Sequence, residues 1–196
     1  MSSNFSAMQL DALGELANIG SGTAATALSG MIGQPLDVSV PNAMALPLAD
    51  AVDAAGPAEQ QVTAVALPVL GDLEGIVLML FAGQSAETLC SILGVEAGTE
   101  MGFSALSEIG NIVGASYLGA LGSTTGVNIE PGPPQAAADM LGAVVSSILA
   151  ASAETADIAL LLDSNLIIEG TDAQVSFILV PSTKSVTDLL ARLGIS

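Results

Sequence analysis

"DALGELAN", residues 11–18, and "SALSEIGN", residues 104–111, share one layout: a short polar residue, Glu four positions on, then Asn three later. Asp11, Glu15 and Asn18 have counterparts in Ser104, Glu108 and Asn111, each displaced by 93 positions. The same displacement links Pro41 to Pro134, and 22 residues separate each proline from its Asn. A shared distant proline makes coincidence a poor account of the two triplets. The chain therefore reads as an internal duplication with halves near 1–96 and 97–196.

Around these segments the hydrophobic pattern predicts the same order of elements twice. The first half gives a helix over 7–31 opened by a Ser6/Gln9 capping box, a strand near 36–40, a short helix over 44–55 after Pro41, strands at 62–70 and 75–81, and a helix over 84–93. The second gives a helix over 100–121, a strand near 125–130, a helix over 135–151 behind Pro134, strands at 156–163 and 174–180, and a closing helix over 183–193. Pro134 suits the first turn of a helix, where its missing N–H costs nothing. Gly71-Asp72 followed by Glu74-Gly75 marks a hairpin that makes its two strands antiparallel neighbours. Neither half can cover both faces of a small sheet by itself. The expected fold is α/β of the α+β type: one domain over 1–196, with a continuous mixed or antiparallel sheet covered by helices and a pseudo-twofold axis relating the halves.

Composition removes many functions. The sequence is 51% hydrophobic, yet it has 20 acidic and 2 basic residues and a net charge of -18. That pairing fits neither disorder nor a nucleic-acid surface, and Lys184 and Arg192 alone cannot hold a phosphate backbone. One-signed surface charge is tolerated best where salt screens it, so the expected setting is a salt-rich cytoplasm. Apolar runs such as "GIVLMLFAG" are too short for a transmembrane segment, and no basic stretch precedes an apolar one at the N-terminus. With no histidine and only Cys90, the triads and the usual zinc sets are excluded. Cys90, beside Leu89, Ile92 and Leu93, reads as a small buried hydrophobe. "GSGTAATALSG" lacks the Gly-Lys-Ser/Thr ending of a phosphate loop and lies within a helix.

On a wheel of 100° per residue, Asp11, Glu15 and Asn18 fall within about 60° of one another. Leu13, Leu16, Ala17, Gly20, Ala24, Ala27 and Met31 group opposite them as the core face. In the second helix Ser104, Glu108 and Asn111 share a face, with Leu106, Ile109, Val113, Tyr117 and Ala120 opposed. Small residues continue each displayed face, through Gly22, Ala25, Thr26 and Ser29 in one helix and Ala115, Gly119 and Gly122 in the other, with Leu118 near the edge. Such a surface permits close approach by another protein. An amide supplies one donor group and one acceptor, enough to hold a water in line with a phosphoryl group without acting as a strong base. The activated phosphoryl group and a divalent ion would then come from a partner, with Glu anchoring to one of its basic residues.

The pattern Asp/Ser-x3-Glu-x2-Asn-x22-Pro, present twice, resembles the CheC/CheX/FliY family of chemotaxis phosphatases. Two intact motifs resemble the CheC branch more than CheX, which has one, and the arrangement expected is not that of FliY with its appended flagellar-switch domain. The resemblance implies hydrolysis of the aspartyl phosphate of the response regulator CheY. In that reading Glu15 and Glu108 contact a lysine of the regulator, while Asn18 and Asn111 orient the attacking water. Mg2+ belongs to the regulator, and this chain binds no cofactor. Pro41 and Pro134 would shape supporting structure, with Asp11 and Ser104 as helix-surface supports. The deamidase CheD is a further partner of such proteins. The alternative is a non-catalytic adaptor that engages CheY or CheD.

Overall fold

The computed structural model describes residues 7–47, 50–152, 156–168 and 171–192. The elements run α1 (Ala7–Ile32), β1 (Leu36–Pro47), α2 (Ala51–Ala55), β2 (Gln61–Gly71), β3 (Gly75–Ala82), α3 (Gly83–Ile92), α4 (Glu100–Thr125), β4 (Ile129–Pro131), β5 (Gln135–Met140), α5 (Leu141–Ser152), β6 (Ile158–Ile168), β7 (Thr171–Pro181) and α6 (Thr183–Arg192). Ser6 of the expected capping box and residue 193 of the expected closing helix lie outside the described residues.

One antiparallel sheet has the order β1-β6-β7-β3-β2-β4, and β5 also pairs with β2. The order is a palindrome. β3 and β7 meet at the centre, and the first strand of each half crosses to pair in the other: β1 lies on β6, while β4 and β5 lie on β2. The same displacement of 93 carries Ala7–Ile32 onto Glu100–Thr125, and the two ends of β1 onto Ile129 and Met140. The second half thus breaks into β4 and β5 what the first keeps as one strand. Both long helices end on a glycine in the left-handed region, Gly33 at φ 76° and Gly126 at φ 70°.

Two apolar layers flank the sheet. On one face Leu16, Ala24 and Leu28 of α1, Leu106, Ile109 and Val113 of α4 and Leu89 of α3 pack on Val65, Leu67, Val77, Met79 and Phe177. On the other, Ala51 of α2 with Leu141 and Val145 of α5 cover Val62, Ala64, Leu78, Leu80 and Leu161. With both faces covered, β2 and β3 read as nearly continuous apolar runs.

Both segments around the prolines depart from the sequence expectation. Helix was expected over 44–55, but β1 continues to Pro47 and α2 spans only Ala51–Ala55, residues 48–49 being outside the described set. Helix was expected over 135–151, but Gln135–Met140 is strand and α5 begins at Leu141. Pro134 therefore precedes a strand rather than opening a helix. In both places the other half supplies a strand partner: Met44 pairs with Leu161, and Ala137 with Ala64. Pro41 lies in a bulge, because between the pairs Ser39–Asn165 and Asn42–Asp163 two residues of β1 face the single Ser164. The extra residue inverts the alternation. Leu36 and Val38 face the α1/α4 layer before it, whereas Ala45 does so after it and Met44 and Leu46 face α5. No helix among the described residues is long and apolar enough to cross a membrane.

Candidate functional site

The core stripe of α1 is Leu16, Ala17, Gly20, Ser21, Ala24 and Leu28, all buried. Ala27, expected on that stripe, is exposed, and Leu28 takes its place. The side chain of Leu13 lies outside the description, and Met31 is half-buried. In α4 the expected stripe is buried throughout, and Leu118, read as an edge position, is buried too.

Opposite these stripes the motif residues emerge. Asp11, Glu15 and Asn18 are exposed on α1, and Ser104 and Glu108 are exposed on α4. Asn111 is half-buried. The following residues differ in the same sense: Ile19 is 54% exposed, whereas Ile112 packs against the main core. Pro41 and Pro134 are not on these faces. Each belongs to the edge strand that follows its helix, Pro41 within β1 and Pro134 between β4 and β5. Pro134 is exposed.

The two motif helices pack directly on each other. Tyr117 of α4 fills the space that a side chain at Gly20 of α1 would need, its Cα only 2.9 Å from where a Cβ would lie. The Tyr117 hydroxyl shares a 2.9 Å hydrogen bond with Ser164, the residue facing the Pro41 bulge. Its ring meets Phe177 edge-on at 4.9 Å. Burial pushes the Tyr117 phenol above its ordinary value, and the Ser164 hydrogen bond opposes the shift. This joint ties α1, α4 and the sheet together, so the two displayed faces have a common rigid base. Beside Asn18, the Ser21 hydroxyl donates to the Asn18 carbonyl at 2.8 Å.

Glycines on these helices divide into two kinds. A Cβ at Gly110 or Gly114 would strike Val65 or Leu67, so both serve packing. Gly14, Gly22 and Gly119 face open space and leave the outer surface low. Among the described residues no three Asp, Glu or Cys side chains gather where they could hold a metal ion. The motif faces themselves present exposed carboxylates and amides on a helix surface.

A profile of the CheC-like family matches residues 8–44 and 101–137, two spans that each contain one motif. The CheY-P phosphatase CheC of Bacillus subtilis is 30% identical over 198 aligned residues, covering 96% of this chain and 95% of that protein. The chain belongs to the CheC-like family. Thermotoga maritima FliY has the same fold, with a TM-score of 0.77 at 20% identity over 98% of this chain and 99% of that one. The FliM middle domain of H. pylori also shares it, with a TM-score of 0.66 at 9% identity over 96% of this CheC-like chain and 99% of that one. Chains of different names share this scaffold, so the fold alone does not assign an activity.

The sequence reading missed the apolar part of the motif faces. Met8 and Met101 are 70% and 66% exposed, more than any other large hydrophobic among the described residues. The signal was present: each stands seven positions before its glutamate.

Proposed function

We propose that this CheC-like protein hydrolyses the aspartyl phosphate of a phosphorylated CheY-type response regulator. The observation that carries the proposal is the exposure of Glu15 with Asn18, and of Glu108 beside a half-buried Asn111, on two packed helices. Membership of a family that includes a named CheY-P phosphatase supports hydrolase chemistry. Asn18 or Asn111 reaches into the regulator's active site, where the amide carbonyl accepts from a water and its N–H donates, fixing that water in line with phosphorus. Phosphoryl transfer of this kind depends on positioning and charge rather than on a strong base, which agrees with a site that has no histidine. Glu15 or Glu108 anchors the complex by pairing with a regulator lysine. Mg2+ is the regulator's own and supplies charge neutralisation at the phosphoryl group. Pro41 lies in the bulge facing Ser164 and Pro134 at the corresponding break between β4 and β5, and both serve as supporting positions that do not touch substrate. Family membership also supports CheD as a second partner.

The test is the decay of phosphorylated regulator, followed with and without the chain. Wild-type protein is expected to shorten the phosphate lifetime, and the double substitution Asn18→Ala with Asn111→Ala to remove about 100-fold of the acceleration. Glu15→Gln with Glu108→Gln should raise the half-saturating concentration with little change at saturation. A regulator that binds wild-type protein but keeps its phosphate lifetime would overturn the enzyme reading and leave an adaptor.

A further inference from the structure

Met8 and Met101 occupy equivalent positions, displaced by 93, and are 70% and 66% exposed. A single exposed apolar side chain is ordinary, but here the two most exposed large hydrophobics among the described residues stand at matching positions of the two motif helices, a repetition that a covering partner accounts for. Each lies seven residues, nearly two full turns, before the motif glutamate. At 100° per residue that spacing returns to within about 20° of the same direction. Met8 therefore lies in line with Glu15, and Met101 with Glu108, on the faces that also display the asparagines. Neither belongs to the two apolar layers of the fold.

We infer that Met8 and Met101 are docking residues for the response regulator, each covered by an apolar patch of the regulator's surface beside its phosphorylation site. The inference rests on the phosphatase reading of the same faces. It fixes the chemistry of the partner: the patch lies about 10 Å from the lysine that the glutamate contacts, the rise of seven helical residues. A surface charged throughout does not fit. Methionine suits the task because its unbranched thioether chain can adapt to a curved apolar surface without rigid complementarity. The acidic face meanwhile lacks a basic residue of its own, so an apolar contact adds affinity that salt does not screen. Met8 and Met101 act on binding, not on the water or the phosphoryl group.

Steady-state hydrolysis of the phosphorylated regulator tests this with the full chain. The double variant Met8→Ser with Met101→Ser is expected to raise KM about tenfold, equivalent to ~1.4 kcal/mol, with kcat within about twofold of wild type. Met8→Leu with Met101→Leu keeps the apolar surface and should restore the wild-type KM. Thermal melts should coincide for all three proteins, since both side chains are exposed. An unchanged KM in the serine variant, while Asn18→Ala with Asn111→Ala still abolishes hydrolysis, overturns the docking role and leaves the phosphatase reading intact. If wild-type protein has no effect on phosphate lifetime, that reading fails instead. Calorimetric binding of the phosphorylated regulator then decides the docking role, tenfold weaker affinity of the serine variant supporting it and equal affinity overturning it.

Discussion

The residues around each asparagine differ between the two motifs. Ala17 precedes Asn18 and Gly110 precedes Asn111; one turn on, Ser21 corresponds to Gly114. Gly110 and Gly114 let α4 rest on Val65 and Leu67 of β2, at separations that a Cβ would close to 2.9 and 2.8 Å. A helix seated that low brings its flanks toward the core, which accounts for the half-buried Asn111 and the packed Ile112 beside it. Asn18 stays exposed, with Ile19 next to it also exposed. On the proposed mechanism, the first site needs less rearrangement to deliver its amide. Asn18→Ala is expected to remove more than half of the hydrolytic rate at subsaturating regulator, and Asn111→Ala less than half. Equal losses, or a larger loss for Asn111→Ala, would show that burial at the second site is relieved on docking. The outward direction of Asp11, Glu15, Asn18, Ser104 and Glu108 was legible from the helical period. This inequality was not, because it depends on the distance between helix and sheet.

The helices themselves were legible because 26 residues of regular apolar recurrence leave little choice of period. The segments 44–47 and 135–140 were not. "MALP" and "QAAADM" contain alanine and methionine, which favour helix locally, and only the strand partners supplied by β6 and β2 make them sheet. Leu28 is buried where Ala27 was expected for a related reason: the buried stripe advances by fours through Ala24 to Leu28, following the packing on the sheet rather than the ideal wheel. The joint between α1 and α4 was likewise hidden, since nothing local to Gly20 announces Tyr117 in the other half. That joint gives a paired prediction. Gly20→Ala forces a Cβ onto the Tyr117 backbone and ring, and is expected to destabilise the fold by about 1–3 kcal/mol in urea unfolding. Gly22→Ala, two residues on, meets open space and should stabilise it by about 0.5–1 kcal/mol through helix propensity. Similar midpoints for the two variants would mean that α1 and α4 can separate at little cost.

For the whole molecule, exchange of the first strands means that each half completes the other's sheet, so the two motif helices share one cooperative structure. That structure carries its charge with one sign. Spread over 9,013 Å², a net charge of -18 leaves one excess negative charge per ~500 Å², or a mean spacing of about 22 Å. Repulsion at this spacing acts at 0.01 M salt, where the Debye length is about 30 Å, and is mostly screened at 0.15 M, where it is about 8 Å. Several acids lie much closer than the mean, however: Asp50 precedes α2 and Asp53 lies in its first turn, Asp72 and Glu74 share one hairpin, and Asp11 and Glu15 are one turn apart on α1. Lys184 and Arg192 are the only cations in the sequence to offset them. For such pairs screening continues to improve as the Debye length falls from about 10 Å at 0.1 M to about 3 Å near 1 M. The urea midpoint is therefore expected to rise between 0.01 and 0.1 M KCl and to rise again between 0.1 and 3 M. A midpoint that is the same in 0.1 M and 3 M KCl would mean that the close acidic pairs cost the folded state nothing, and the expectation of a salt-rich cytoplasm would lose its physical basis.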